Sequence, residues 1–240
     1  MRALWLVALL IHPFQEPTPV DAVKAAIETT AKSSYAYRVG GRFKREGVFV
    51  PPDLLTARID GFQSARNGTT ILVKGPEGLW KSPEERFGEQ VEGTPPEVGD
   101  KVTTLREAER PHEMLAVLLA DVKSGRALET PGTYLFTYDP EKVRAYLRKE
   151  MDKAVDRKTL ARPDVVAWES AEGRLRVQLE KLGGPIAKFS EERSVPIRYK
   201  REGESEDRRR YRTEMVFELL SHGEAKVELP DEVRKRLGLK

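Results

Sequence analysis

Alternating apolar and polar residues fill much of this 240-residue chain, and they constrain its fold more than any other feature. Leu175, Val177 and Leu179 alternate with arginine and glutamine, and residues 55–59 follow the same rule. Because successive strand residues point to opposite faces, these runs predict strands with one apolar and one polar face. Asn67-Gly68 stands between two such runs, where it predicts a tight hairpin turn. The chain is therefore expected to form a large antiparallel sheet.

Three segments replace this alternation with helical spacing. Thr18-Pro19 supplies a hydroxyl cap followed by proline, which predicts a helix over residues 19–32. Pro111 begins a second helix that is apolar most of the way round, and Asp139-Pro140 begins a third that runs to about residue 155. Burial on more than one side is expected for the second helix, either between the sheet and another layer or inside a concavity.

Other segments lack such clear periodicity. Residues 82–110 are polar and rich in proline and glycine, so a long loop is expected there. Gly40-Gly41 interrupts an alternating run and predicts a bend or bulge within one strand. Residues 165–168 and 175–179 are expected to pair as a hairpin.

The chain begins with Met1-Arg2 and an apolar run over residues 3–11, which predicts an export signal over residues 1–16. No Ala-x-Ala motif follows, so an uncleaved anchor, a mis-started reading frame and a buried cytosolic N-terminus remain as alternatives. The run is shorter than the roughly 20 residues of a transmembrane helix. We expect residues 17–240 to form a single exported domain, periplasmic or secreted, that is soluble or held by an uncleaved leader.

Composition narrows the function classes. The chain contains no cysteine, which excludes disulfide-linked oligomers, thiolate metal sites and the acylated cysteine of membrane-anchored lipoproteins. The net charge of +3 is small beside a charged fraction of 34%, so no nucleic-acid partner is expected. The basic run 208–212 is expected to be neutralised by acidic residues across a turn at 201–207.

Covalent chemistry has little support in the residues. The histidines are His12, His112 and His222, and none of them has metal-ligand spacing. Serine-hydrolase elbows and phosphate-binding glycine loops do not occur. Carboxylates such as Glu169 and Glu172 can be imagined as an acid and base pair, but we rank the enzymatic hypothesis last. We predict no catalytic residue, metal or cofactor, and we expect His112 to be exposed in the first turn of its helix.

Five segments resemble a known superfamily: residues 23–35, 78–81, 114–122, 138–143 and 225–233. In their order and local sequence the chain resembles the LolA-like superfamily of exported bacterial proteins. That superfamily includes periplasmic lipoprotein carriers, the LppX and LprG lipoproteins, and RseB-type sensors. The resemblance implies an α+β fold in which a strongly curved antiparallel sheet forms a half-open barrel, with helices on its concave side.

The resemblance also implies a site. Residues 114–122 would form a helix that plugs an apolar concavity, and nine apolar residues would line that concavity: Ile59, Ile71, Val73, Trp80, Met114, Leu115, Leu118, Leu119 and Val122. The expected function is non-enzymatic binding of lipid or of a lipoprotein's acyl chains. The alternative is an envelope sensor or interaction module that binds another protein and takes no small-molecule ligand.

Overall fold

A computed structural model describes residues 17–40, 44–88, 96–199 and 207–239. These residues form six α-helices and 12 strands joined in one sheet. The strand pairs are antiparallel throughout, which confirms the large antiparallel sheet expected from the alternation. The predicted leader, Gly41 of the glycine pair and most of the charged turn at 201–207 lie outside the described residues.

The elements follow in chain order. The N-terminal part contains α1 (Pro19–Ala31), β1 (Tyr35–Gly40), β2 (Arg45–Val50), β3 (Leu54–Ile59), β4 (Phe62–Asn67), β5 (Thr70–Lys74), β6 (Trp80–Lys81), α2 (Pro83–Gly88), α3 (Pro96–Arg106) and α4 (Pro111–Ala120). The C-terminal part contains β7 (Val122–Ala127), β8 (Thr133–Tyr138), α5 (Pro140–Asp156), β9 (Val165–Val166), β10 (Glu172–Leu179), β11 (Ile186–Tyr199), β12 (Asp207–Leu220) and α6 (Asp231–Arg236).

The N-terminal and C-terminal strands form one sheet because the first strand pairs with the last. The N-terminal strands form a meander from β6 back to β1, and β1 then pairs with β12, the last strand. Beyond β12 follow β11, β10, β8 and β7, and β9 pairs with β11 off this path. Within the described residues the sheet is open, with β6 and β7 at its edges.

Side-chain caps explain where two helices begin. The Thr18 hydroxyl accepts a hydrogen bond from the Asp21 backbone N–H at 3.2 Å, as predicted for the start of α1. The Asp139 carboxylate accepts one from the Glu141 backbone N–H at 2.8 Å at the start of α5. Both helices carry proline in the first turn, where its missing N–H has no helical partner to lose.

One large apolar cluster unites the helices and one face of the sheet, which we call the inner face. Helices α1, α3, α4 and α5 all contribute buried side chains to this cluster. From the sheet come large rings such as Phe189 and Phe217, whose centroids are 4.5 Å apart in a stacked arrangement. The inner face is therefore where the helices bury their apolar sides.

A second, smaller cluster lies on the opposite, outer face. Ala65 of β4 and Leu72 of β5 are buried there beneath Val233 and Leu237 of the C-terminal segment. The Asn67 side-chain amide donates a hydrogen bond to the Leu237 carbonyl at 2.8 Å. The chain's C-terminal segment therefore covers the outer face of the N-terminal strands.

Several local predictions were wrong. Residues 82–110 were expected to be a loop, but α2 and α3 occupy most of this stretch, and Val102 and Leu105 of α3 are buried. The two strands around Gly40 are separate antiparallel partners, with Tyr35 opposite Phe49, rather than one bent strand. Long-range burial and pairing override the weak local signals in both places.

Two turns also differ. In the β4–β5 hairpin Asn67 pairs with Thr70, so the loop residues are Gly68 and Thr69, one position later than predicted. Gly68 has a φ of 56°, which glycine adopts without strain. Strand β9 pairs with β11 and not with β10, so residues 165–168 and 175–179 do not form the predicted hairpin.

Candidate functional site

Helix α4 covers part of the inner face with a row of leucines. Leu115, Leu118 and Leu119 recur at helical spacing, and their exposed fractions are 0%, 6% and 6%. Against this helix lie α1 and the rings of Tyr35 and Phe49, whose centroids are 5.2 Å apart. Apolar side chains thus pack between α4 and the first strands of the sheet.

The structure brings most of the nine predicted site residues into the main apolar cluster. Ile59, Val73, Leu115, Leu118 and Leu119 are buried members, and Ile71, Met114 and Val122 pack partly buried against them.

Two of these residues differ from the prediction in position. Val122 is the first residue of β7, because α4 ends at Ala120. Trp80 lies at the edge strand β6 and packs against the second cluster, beside Leu72 and Leu237. It therefore belongs to the layer under the C-terminal segment and does not face α4.

The apolar layer under α4 is closed. The α4 leucines that face this layer are at most 6% exposed, and five recesses of the described surface are lined by residues outside α4. One of them, of about 320 Å³, lies on the outer face beside Arg38, Glu46 and Arg58. Burial of the leucines indicates close packing beneath α4 in the state described.

The outward side of α4 carries Glu113 and three apolar residues. Val117 is 64% exposed, and Ala116 and Ala120 are exposed beside it. The helix was expected to be buried on more than one side, and this expectation was wrong, because one side faces solvent. An exposed apolar stripe on a helix that covers an apolar layer is unusual for a surface helix, whose outward side is normally polar.

Sequence reasoning also misplaced His112. This residue is only 6% exposed, and its Nδ1 atom lies 2.6 Å from the Tyr35 hydroxyl in a buried hydrogen bond. The Phe49 ring packs edge-on against the imidazole at 4.9 Å. Burial lowers the pKa of His112 below its ordinary value, and burial raises the pKa of Tyr35 far above its own.

His222 approaches Tyr35 from another side. Its ring centroid is 5.7 Å from that of Tyr35, and its Nε2 atom lies 2.8 Å from the Ile186 carbonyl oxygen. Glu180 Oε1 is 3.5 Å from the same nitrogen. The Nδ1 atom is buried and has no hydrogen-bond partner among the described residues.

A buried ion pair lies on the inner face near α5. Glu191 and Arg193 of β11 are 4% and 3% exposed and contact each other through Oε1 and Nε, without the alignment of a hydrogen bond. The Arg193 guanidinium stacks over the rings of Tyr138 at 4.6 Å and Tyr146 at 4.0 Å. Asp121 Oδ2 lies 3.8 Å from Arg193 Nη2.

The charges of this pair depend on each other. Burial raises the pKa of Glu191, and the Arg193 guanidinium opposes that rise. Burial also raises the pKa of Tyr146 to about 12. The sequence analysis missed this pair, although the alternation along β11 contains a signal for it. Residues 191 and 193 share one face of the strand with Phe189 and Val195.

Truncation on α4 tests how closely the apolar layer is packed. We expect Leu115→Ala to lower the free energy of unfolding by about 2–5 kcal/mol, because the lost methyl groups leave a cavity in a close-packed layer. The matched Val117→Ala, on the exposed side, is expected to change it by less than about 0.5 kcal/mol. Chemical denaturation measures both, and equal effects would contradict the closed packing.

Comparison with models of known families and with curated proteins finds no match. Among the described residues, no helix has the length and apolar character needed to cross a bilayer. The described part of the chain likewise contains no group of three or more side chains arranged to hold a metal ion.

Proposed function

We propose that the protein is a non-enzymatic, exported, LolA-like protein that binds acyl chains of lipid or of a lipoprotein at its inner face. In the closed state α4 occupies that face, so an acyl chain enters as α4 moves outward. Support comes from the order of elements, from the single antiparallel sheet and from the gathering of most predicted site residues in one apolar cluster.

The observation that carries the proposal is that α4 has apolar residues on its exposed side as well as on its buried side. Its inner leucines are buried while Val117 on its outer side is 64% exposed. A helix of this kind loses little when it leaves the sheet for an amphiphile, because either side can contact acyl chains. The chain that enters gains about 25 cal/mol for each Å² of apolar surface removed from water.

We further infer that the sheet curves into a half-open barrel with the helices on its concave side. Three glycines in strands support this inference. A Cβ atom on Gly47, Gly125 or Gly173 would collide with the ring of Tyr37, Phe136 or Tyr138, respectively. Glycine beneath an aromatic ring is a device by which strongly curved sheets bend their strands.

A second candidate is an interaction module that binds an envelope protein, and the closed inner layer favours it. Its surface would be the outer face, where alternating charges cross neighbouring strands. Lys188 lies 2.8 Å from Glu218, and Arg38 lies 3.2 Å from Glu46, which Arg58 contacts at 2.5 Å. Ordered charge patterns of this kind suit recognition of a complementary protein surface.

Lipid binding is tested on full-length protein expressed in bacteria and purified without detergent. We expect native mass spectrometry to show a co-purified acyl lipid, and added oleate or phosphatidylglycerol vesicles to raise the melting temperature by several degrees. Val117→Lys is expected to slow uptake of a fluorescent fatty acid by about tenfold, because a charge replaces the apolar contact that guides entry.

Leu182→Lys is the matched control, since Leu182 is 73% exposed but lies in the turn after β10. Uptake by this variant should equal that of the wild type. Absence of bound lipid together with no thermal shift would contradict lipid binding. A stoichiometric protein partner recovered from envelope extract in the same preparation would then support the second candidate.

A further inference from the structure

The first turn of α4 is held to the sheet by a buried tyrosine–histidine contact. The Tyr35 hydroxyl and His112 Nδ1 are 2.6 Å apart, and Tyr35 is fully buried at the start of β1. Phe49 of β2 and His222, after β12, pack against the same tyrosine ring. Four segments of the chain therefore meet around one phenol and one imidazole.

The charged groups around His112 balance one another without including it. On its own helix, Arg110 pairs with Glu113 at 2.5 Å, and Arg110 also binds Asp53 of the β2–β3 turn at 2.7 Å. Beyond Tyr35, Glu180 lies beside His222 at 3.5 Å. Phe49, the neighbour from β2, is apolar.

We propose that protonation of His112 releases the first turn of α4 from the sheet, so that the Tyr35–His112 contact is a pH-sensitive latch. This inference rests on the proposed function, because the latch would control the entry of acyl chains beneath α4. His222 also packs against the Tyr35 ring, with the two ring centroids 5.7 Å apart.

An imidazolium is disfavoured at this position for two reasons. Burial against Tyr35 and Phe49 removes water from the ring. The residue also lies at the N-terminal end of α4, where the helix dipole repels positive charge.

The direction of the effect follows from proton binding. With α4 closed, the pKa of His112 lies below its ordinary value, whereas in an open state the solvated ring regains a pKa near 6.5. The open state therefore binds more protons below about pH 6.5, and falling pH favours opening. The closed state is fully favoured above that pH.

Hydrogen–deuterium exchange of the lipid-free full chain tests the latch. After correction for intrinsic exchange, the protection of amides in residues 111–120 should fall by about tenfold between pH 7.5 and pH 5.5, as expected for one linked proton. Amides in β11 should keep their protection. A flat pH profile for α4 would overturn the proposal.

His112→Asn places an amide near the Nδ1 position and cannot titrate, so its α4 protection should not change with pH. His222→Gln is the control; it keeps a donor for the Ile186 carbonyl and should retain the tenfold change. Retention of the change in His112→Asn, or its loss in His222→Gln, would also overturn the assignment.

If His112→Asn does not fold, an NMR titration of the His112 ring protons in the wild type tests the latch by measuring the pKa of His112. A pKa at or above 6.5 contradicts the latch. Because these measurements use no lipid, a protein that never binds lipid can still show the latch. If the protein binds lipid equally at both pH values and its exchange profile is flat, the proposed function is supported and the latch is contradicted.

Discussion

Arg193→Met is expected to lower the free energy of unfolding by about 3–5 kcal/mol. The substitution removes the only positive charge in contact with Glu191, among the described residues, and leaves a carboxylate that is 96% buried without compensation. It also removes the cation stacked on Tyr138 and Tyr146. Urea denaturation followed by circular dichroism measures the loss.

The pH dependence of this variant has a definite sign. Without Arg193 the pKa of Glu191 rises further above its unfolded value. The folded variant then binds a proton that the unfolded chain has already released, so its stability falls as pH rises above about 4.5. The difference from the wild type should accordingly be larger at pH 8 than at pH 5.

Two variants control for this result. Arg176→Met, on the exposed outer face of β10, is expected to change stability by less than about 0.5 kcal/mol. The double substitution Glu191→Leu with Arg193→Met should regain most of the lost stability, because an apolar pair replaces the ion pair. A double variant no more stable than Arg193→Met alone would contradict the buried-charge explanation.

Gly47→Ala is expected to lower the free energy of unfolding by about 3 kcal/mol, at the upper end for overpacking in a core. Gly47 pairs directly with Tyr37. An added Cβ atom would collide with the Thr56 carbonyl oxygen and would lie 2.6 Å from both the Cζ and the hydroxyl of Tyr37. Tyr37 cannot turn away, because it is 1% exposed and donates a hydrogen bond to the Thr56 carbonyl at 2.9 Å.

Gly40→Ala is the matched control in the neighbouring strand. The nearest atom to its added Cβ is Val216 Cβ at 3.7 Å, an ordinary contact, so the change should stay within about 1 kcal/mol. Thermal denaturation of both variants checks the difference. Equal losses at the two positions would show that the collisions with Thr56 and Tyr37 are not the cause.

Local signals were sufficient for some elements. The cap and proline at Thr18-Pro19 predicted α1 to within one residue of its end, and Asp139-Pro140 did the same for α5. Both starts depend on atoms a few residues apart, which the sequence states directly. The antiparallel meander likewise follows from residues that alternate between turns.

Helix α3 needed information from distant strands. Its C-terminal segment is held by Arg66 of β4, whose guanidinium donates to the carbonyls of Arg106 at 2.5 Å and Ala108 at 3.2 Å. Arg45 of β2 also reaches the Thr104 carbonyl at 3.4 Å. No property of residues 96–106 alone reveals these partners.

The sequence by itself determined that this chain forms an antiparallel sheet with an apolar helix after Pro111, because periodicity and capping act over a few residues. Tertiary structure decided that Val117 faces solvent, that Trp80 packs away from α4, and that His112 is buried against Tyr35. Those outcomes depend on which faces of the helices and strands meet once β1 has paired with β12. Contacts between residues so far apart in the chain leave no pattern in the local sequence.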